Sequence, residues 1–154
     1  MRKKVLVLSD SHGNYTRLNK IIQKELPLDY LIHCGDGIGD LFHVDLPKEV
    51  YVIKASGNMD SGRVHGVEEE TIVTIGSIDI LVIHGHRQHV KNHYDSLIQK
   101  GQNSKVDYVF FGHTHISEYI ENEPGLFNPG SANNGFYGIV FINEKVSFEH
   151  RRIE

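Results

Sequence analysis

Five apolar runs punctuate the chain, at residues 5–8, 30–32, 50–53, 80–83 and 108–111, and each ends in a short polar signature. Runs of this length, rich in Val, Ile, Leu, Tyr and Phe, predict buried strands. After the first run, Leu18, Ile21, Ile22 and Leu26 recur at helical spacing and Pro27 closes the segment, which predicts a helix. The second and third strands are expected over 29–34 and 50–55. Residues 37–48 between them read as a loop or short helix, with Leu41, Phe42 and Val44 to bury. Gly57, Gly62 and Gly66 mark 56–69 as a long, partly irregular connection. Residues 71–76 and 78–84 predict a hairpin turning at Gly76-Ser77. A second helix is expected near 90–100, from Val90, Tyr94, Leu97 and Ile98. The rest is β-like, with strands at 119–120, 126–127, 137–142 and 146–150 between turn signals such as Glu123-Pro124-Gly125 and Asn143-Glu144.

An α/β first half followed by a mostly β second half predicts two sheets packed face to face, with helices on the outer faces. No linker, repeat or low-complexity segment interrupts the pattern. The 154 residues suit one domain, 1–154, around one core.

Composition narrows the partners. The formal charge of −4 argues against non-specific capture of nucleic acid, which needs a basic face. It leaves room for a small anionic substrate held through metal. One cysteine, Cys34, permits no internal disulfide and is expected to be a small buried packing residue rather than a nucleophile. The first apolar run is too short for a signal-peptide core, and no stretch approaches the roughly 20 residues that span a bilayer. The expected location is therefore cytoplasmic, without a membrane partner.

The polar signatures carry the chemistry. They are Asp10-Ser11-His12, Gly35-Asp36, Gly57-Asn58, His84-Gly85-His86 and Gly112-His113-Thr114-His115. Ligands of open α/β sheets bind at the carboxyl ends of strands, so these groups are expected at one sheet edge. Asp10 and His12 are two apart and would point the same way in an extended segment. Asp36 has two oxygens and could bridge two cations. Asn58 adds a carbonyl, and His84, His113 and His115 add imidazoles. The donors are oxygen and nitrogen only, which suits manganese, iron, zinc, nickel or cobalt. Seven donors exceed the needs of one tetrahedral ion, whereas two ions sharing a carboxylate use them all. Two metals about 3.5–4 Å apart are a standard device for phosphate-ester hydrolysis.

In order, the five signatures resemble the blocks of the calcineurin-like metallophosphoesterases. The opening Ser9-Asp10-Ser11-His12-Gly13-Asn14 and the segment Asn128-Pro129-Gly130-Ser131 are similar to its small bacterial and archaeal phosphodiesterase branch. The likeness spans roughly residues 5 to 142. It implies a four-layer α/β/β/α sandwich of two mixed sheets flanked by helices. It implies one divalent ion on Asp10, His12, Asp36 and His115, and a second on Asp36, Asn58, His84 and His113, manganese being the first expectation. It further implies a phosphodiesterase in which a hydroxide bridging the two metals attacks phosphorus in line, with Asn58 also touching the phosphate.

One position departs from the family pattern. Many relatives carry His after the Asn, where it contacts phosphate, and this chain has Met59. His86 is the nearest candidate for the general acid, with a structural role as its alternative. Asp60 either orients a ligand histidine or caps a turn. Arg63 and His65 lie near the site, and the simpler expectation for them is a solvated loop. His89, Lys91 and His93 are expected on the exposed side of a helix start. His33, His43 and His150 have no partner motif, and Asn128-Pro129-Gly130-Ser131 is expected to be a packing turn. Specificity is left to the loops at 37–48, 59–69 and 86–95, which carry no readable motif.

Two other classes remain in view: a non-catalytic interaction module, since a retromer subunit resembles this family with an impaired metal site, and a nuclease. The filled donor positions favour the enzyme, and the acidic charge weighs against the nuclease. The expected partner is a small phosphodiester, with a homodimer as the possible assembly.

Overall fold

The computed structural model describes residues 1–60 and 64–154. The chain runs β1 (Lys3–Leu8), α1 (Tyr15–Glu25), β2 (Tyr30–His33), a 3₁₀ helix (Ile38–His43), β3 (Tyr51–Lys54), β4 (Glu70–Ile75) and β5 (Ile78–Ile83). It continues with α2 (Asp95–Ser104), β6 (Tyr108–Phe110), β7 (Glu118–Ile120), β8 (Gly125–Asn128), a short 3₁₀ turn (Ala132–Asn134), β9 (Phe136–Ile142) and β10 (Val146–Arg152). The strands form two five-stranded mixed sheets, in the orders β10-β9-β1-β2-β3 and β4-β5-β6-β8-β7.

Alternation along the strands builds the layers. Successive strand side chains point to opposite faces. Val5 and Val7 of β1 enter the core between the sheets, where they meet Ile80 and Val82 of β5, with Phe110 and Phe127. Leu6 and Leu8 face the other way and pack against Leu18, Ile21 and Ile22 of α1. Leu81 and Ile83 likewise face outward, with Leu97 of α2. The result is α1, sheet, sheet, α2, the four-layer sandwich expected from the sequence. Cys34 is fully buried in the inter-sheet core, and burial pushes its thiol up, so it packs and does not react.

β1, β2 and β3 are mutually parallel, as are β5, β6 and β8. Each of the five polar signatures follows the carboxyl end of one of these strands. Asn14 caps α1 by accepting from the Arg17 N–H, so the helix starts directly after the first signature.

β9 returns to pair with β1 and brings β10 with it. Two local expectations change. The second helix begins at Asp95, not near Val90. His89 has a left-handed backbone (φ 56°), and a tight turn at His89–Asn92 holds Val90 against the core without helix. Phe42 is 73% exposed, while Leu41 and Val44 do pack on the α1 side.

Phe110 is the test of this core, since its ring lies against Phe127 and Phe148, at centroid distances of 5.5 and 6.3 Å. Phe110→Ala is expected to lower the unfolding free energy by about 3–5 kcal/mol, read from urea denaturation.

Candidate metal centre

Asp10 and His12 do not converge from an extended segment, as their spacing suggested. β1 ends at Leu8, and Asp10 (φ 56°) and His12 (φ 45°) both adopt the left-handed region. Asp36, His113 and His115 do so as well, with φ of 61°, 71° and 65°. Five of the seven non-glycine residues with positive φ, among those described, are thus candidate ligands. This conformation costs on the order of 1–3 kcal/mol per residue and clusters at functional sites.

The donors fall into two groups. Asp10, His12 and His115 form one, and Asp36, His84 and His113 the other; within each group the donor atoms lie within 4.8 Å of one another. Asp10 Oδ1 is 3.4 Å from His12 Nε2 and 3.2 Å from His115 Nε2, and the two nitrogens are 3.4 Å apart. In the second group His84 Nε2 is 3.1 Å from Asp36 Oδ2 and 3.2 Å from His113 Nδ1. Asp36 Oδ2 also faces the first group, 3.9 Å from His12 Nε2. Asp36 Oδ1 accepts from the Met59 N–H at 2.8 Å, so Oδ2 is the oxygen turned toward both groups.

Second contacts fix these side chains. The His84 Nδ1–H donates to the Cys34 carbonyl at 2.9 Å, which turns Nε2 toward Asp36. Asp10 Oδ2 accepts from Ser9 Oγ at 2.6 Å and from the His113 N–H at 3.0 Å. Ser131 Oγ donates to the Asp10 carbonyl at 3.0 Å. Close approach leaves no room for side chains at two motif glycines. A Cβ on Gly57 would collide with Asp36 Oδ1, and one on Gly112 with Ser9 Oγ.

Burial opposes ionisation of Asp36, but the His84 hydrogen bond and charge, with the Met59 N–H, win and hold its carboxyl down at about 2. Burial also pushes the His84 imidazole down, yet Asp36 and Asp10 outweigh it and its pKa is raised. His113 is held at about 4 by burial and by the charges of His84 and Lys91.

Asn58 sits exposed on the turn after β3, next to Gly57, which packs against Asp36 and His84. The His86 Nε2–H donates to Glu69 Oε2 at 2.8 Å, and its buried Nδ1 has no partner among the described residues. Burial and His84 lower the His86 pKa against the pull of Glu69. Arg87 Nε holds both oxygens of the same Glu69 at 2.9 Å.

Asp60 touches no candidate ligand side chain among its described contacts. It accepts backbone N–H groups from Asp36 and Gly57 at 2.8 Å, Gly37 at 2.9 Å and Ile38 at 3.3 Å, binding two signature loops together. Asn128 does more than pack. Its Nδ2 donates to the Gly112 carbonyl at 3.2 Å and to Thr114 Oγ1 at 2.9 Å, bracing the His113 loop. His65, His89, Lys91 and His93 are exposed, and Arg63 lies outside the described residues.

His33 and Asp40 were missed from the sequence. The Gly35 N–H donates to His33 Nδ1, so the His33 Nε2–H donates to Ser11 Oγ at 2.9 Å. Ser11 Oγ donates in turn to Asp40 Oδ2 at 2.7 Å, which also accepts from the Gly13 N–H. This buried chain fixes the segment between Asp10 and His12. His150 was also passed over, and its Nε2–H donates to the Asn128 carbonyl at 2.8 Å. A histidine within a buried strand, as at His33, was the available signal.

The comparisons agree with this geometry. The family model for the calcineurin-like phosphoesterase superfamily domain matches residues 3–140, and the chain belongs to that superfamily. It is 35% identical over 130 residues to a probable metallophosphoesterase of Bacillus subtilis, covering 82% of this chain and 73% of that one. It is 37% identical over 133 residues to a probable metallophosphoesterase of Mycoplasma genitalium, covering 83% and 76%. In fold it is similar to a predicted phosphoesterase of Streptococcus pneumoniae, with TM-score 0.76, 23% identity and coverage of 96% and 89%. It is similar too to a single mutant of Vps29 from Entamoeba histolytica, with TM-score 0.74, 21% identity and coverage of 98% and 99%.

The superfamily implies divalent metal, and the donors fit it. Asp10 Oδ1 is buried without a hydrogen-bond partner among the described residues and faces three imidazole nitrogens, of His12, His115 and His84. Ligands about 2.1 Å from an ion lie roughly 3.0–3.4 Å apart, which is the spacing throughout the first group and around His84 in the second. Among the described residues, no helix is long and apolar enough to cross a membrane.

His33 carries a pH prediction. Burial lowers its pKa to about 4 against the opposing charges of Asp60, Asp10 and Asp40. The unfolded group titrates near 6.5, so between these values the unfolded chain binds more protons than the folded one. The stability contribution is full above about pH 6.5 and is lost as pH falls toward 4. Metal-free protein is expected to lose about 1 kcal/mol per pH unit there from this residue. Urea unfolding from pH 7 to 4.5 should show a shallower slope for His33→Gln than for the parent.

Proposed function

We propose that this chain is a metal-dependent phosphodiesterase whose domain, 1–154, holds two divalent cations. Asp10, His12, Asp36 and His115 hold one, and Asp36, Asn58, His84 and His113 hold the other. Manganese is the first expectation, with nickel, zinc, iron or cobalt as alternatives. The observation that carries this reading is Asp36 Oδ2, which lies 3.1 Å from His84 Nε2 and 3.9 Å from His12 Nε2 and so faces both donor groups; Asp10 Oδ1 also approaches His84 Nε2, at 3.8 Å, which sets the two groups side by side.

When bound, the two ions would supply a hydroxide nucleophile near neutral pH and draw charge from the phosphoryl oxygens. The chain supplies the rest. The Met59 N–H and the Asp60 cradle fix Asp36 so that Oδ2 stays between the groups. Exposed Asn58 is free to contact a phosphoryl oxygen as well as an ion. Met59 cannot protonate a leaving group, and His86 takes that role here. In the protonated form, which the Glu69 carboxylate favours, the ring would hand its Nε2 proton to the departing oxygen and keep the buried Nδ1–H. A small diester fits the negative overall charge better than a nucleic acid does.

The rival is an interaction module without catalysis, favoured by the fold likeness to Vps29. The donor groups Asp10, His12, His115 and Asp36, His84, His113 are both filled, which favours the enzyme.

Metal-stripped protein reloaded with manganese, nickel, zinc or magnesium is expected to hydrolyse chromogenic diesters faster than monoesters. No turnover with any ion, despite bound metal, would move the chain to the module. Asp36→Ala should lose both ions together; elemental analysis finding one full equivalent retained would sink the shared-ligand assignment. His86→Ala is expected to keep its metal and slow poor leaving groups by about a hundredfold while sparing good ones. Equal loss on all substrates would remove the acid role.

A further inference from the structure

A cavity of about 420 Å³ adjoins the donor groups. His12 and Asp36 form one wall; Phe42, Met59, Gly39 and Val64 line the other side. Phe42 is 73% exposed and Met59 49% exposed. Single exposed apolar residues need no explanation, but here two large ones share one cavity beside a charged centre. The Phe42 ring is not loose, since Lys54 Nζ lies 5.4 Å from its centroid. On the same rim, His43 packs against Tyr15 at a centroid distance of 4.7 Å.

The two carboxylates beside Phe42 and Met59 in this cavity, Asp40 and Asp60, are already committed. Asp60 accepts four backbone N–H groups, and Asp40 accepts Ser11 Oγ and the Gly13 N–H. Gly13, Gly37 and Gly39 contribute no side chains. A hydroxyl-rich substituent would find few free partners here and would lose its hydration. A planar ring would lie against Phe42 with the thioether of Met59, which adapts to aromatic faces. The volume is at the lower end for ligand sites and suits one ring system, not a polymer.

We propose that this cavity, lined by Phe42 and Met59, is a subsite that selects phosphodiesters bearing a planar aromatic substituent. The inference rests on the phosphodiesterase reading. A phosphoryl group held by the ions that Asp36 and His12 would bind would direct its substituent into the cavity those residues line with Phe42 and Met59. The substituent is a simple aryl group or a nucleobase, which offer the same flat apolar face.

The test is binding, with product analogues and the zinc-loaded full chain. The chain has two methionines, Met1 and Met59, so ¹³C-methyl labelling gives a reporter in the cavity and one control at the N-terminus. Phenyl phosphate and AMP are expected to shift the Met59 methyl signal through their ring currents and to bind about tenfold tighter than methyl phosphate. Phe42→Ala should collapse the ratio of phenyl to methyl phosphate affinity toward one. AMP binding tighter than phenyl phosphate would assign the subsite to nucleobases, and the reverse to simple aryl groups. Equal affinity for phenyl and methyl phosphate, or a ring preference that survives Phe42→Ala, would overturn the proposal. Binding of inorganic phosphate without ring preference sinks this inference alone. Failure of every phosphate to bind sinks the phosphodiesterase reading with it.

Discussion

Lone pairs that face one another are the constraint on which this structure depends. Asp10 Oδ1 is buried against His12 and His115, and Asp36 Oδ2 against His84. Donor atoms 3.1–3.4 Å apart, with no internal counter-charge, repel unless a proton or a cation lies between them. The raised pKa of His84 and the depressed pKa of Asp36 are two sides of one attraction, since each favours the charged form of the other. A divalent ion answers the same repulsion with more charge at the same spacing. The left-handed backbones at Asp10, His12, Asp36, His113 and His115 are held in place against that repulsion. Two rigid sheets, joined by a core of Val5, Val7, Ile80, Val82 and Phe110, provide the frame.

Most of the frame was legible in the sequence because alternation is a local signal. Leu6 and Leu8 against Val5 and Val7 mark a strand buried on both faces, and the same holds for β5. Strand partners were less legible, since β9 pairs with β1 across most of the chain and no local pattern encodes that choice. The start of α2 was misplaced for a related reason. Val90 lies at helical spacing from Tyr94, but it is buried from a turn that the left-handed His89 sets.

The candidate ligands were legible by residue type and position, and their supports were not. Asp10, His12, Asp36, His84, His113 and His115 stand out because carboxylates and imidazoles at strand ends are chemically unusual. Asp60, Asp40 and Asn128 look like ordinary turn residues. Only the fold shows Asp60 tying the Asp36 loop to the Gly57 turn, or Asn128 bracing Gly112 and Thr114. His33 had been set aside as unpartnered because its partners, Ser11 and Asp40, come from separate loops.

These supports also bear on selectivity. Each carboxylate that anchors backbone is one fewer group able to greet a substrate. Asp60 and Asp40 make the centre rigid and, by the same contacts, are themselves withdrawn from the adjoining cavity. An apolar residue such as Phe42 can then stand at its rim and decide what enters. The chemistry thus sits on the strand ends, where geometry fixes it, and the choice of substituent falls to a loop whose side chains carry no catalytic duty. A fold that separates the two can keep one reaction while its loops change the substrate, which is why the five signatures name a reaction class and the loop residues must name the rest.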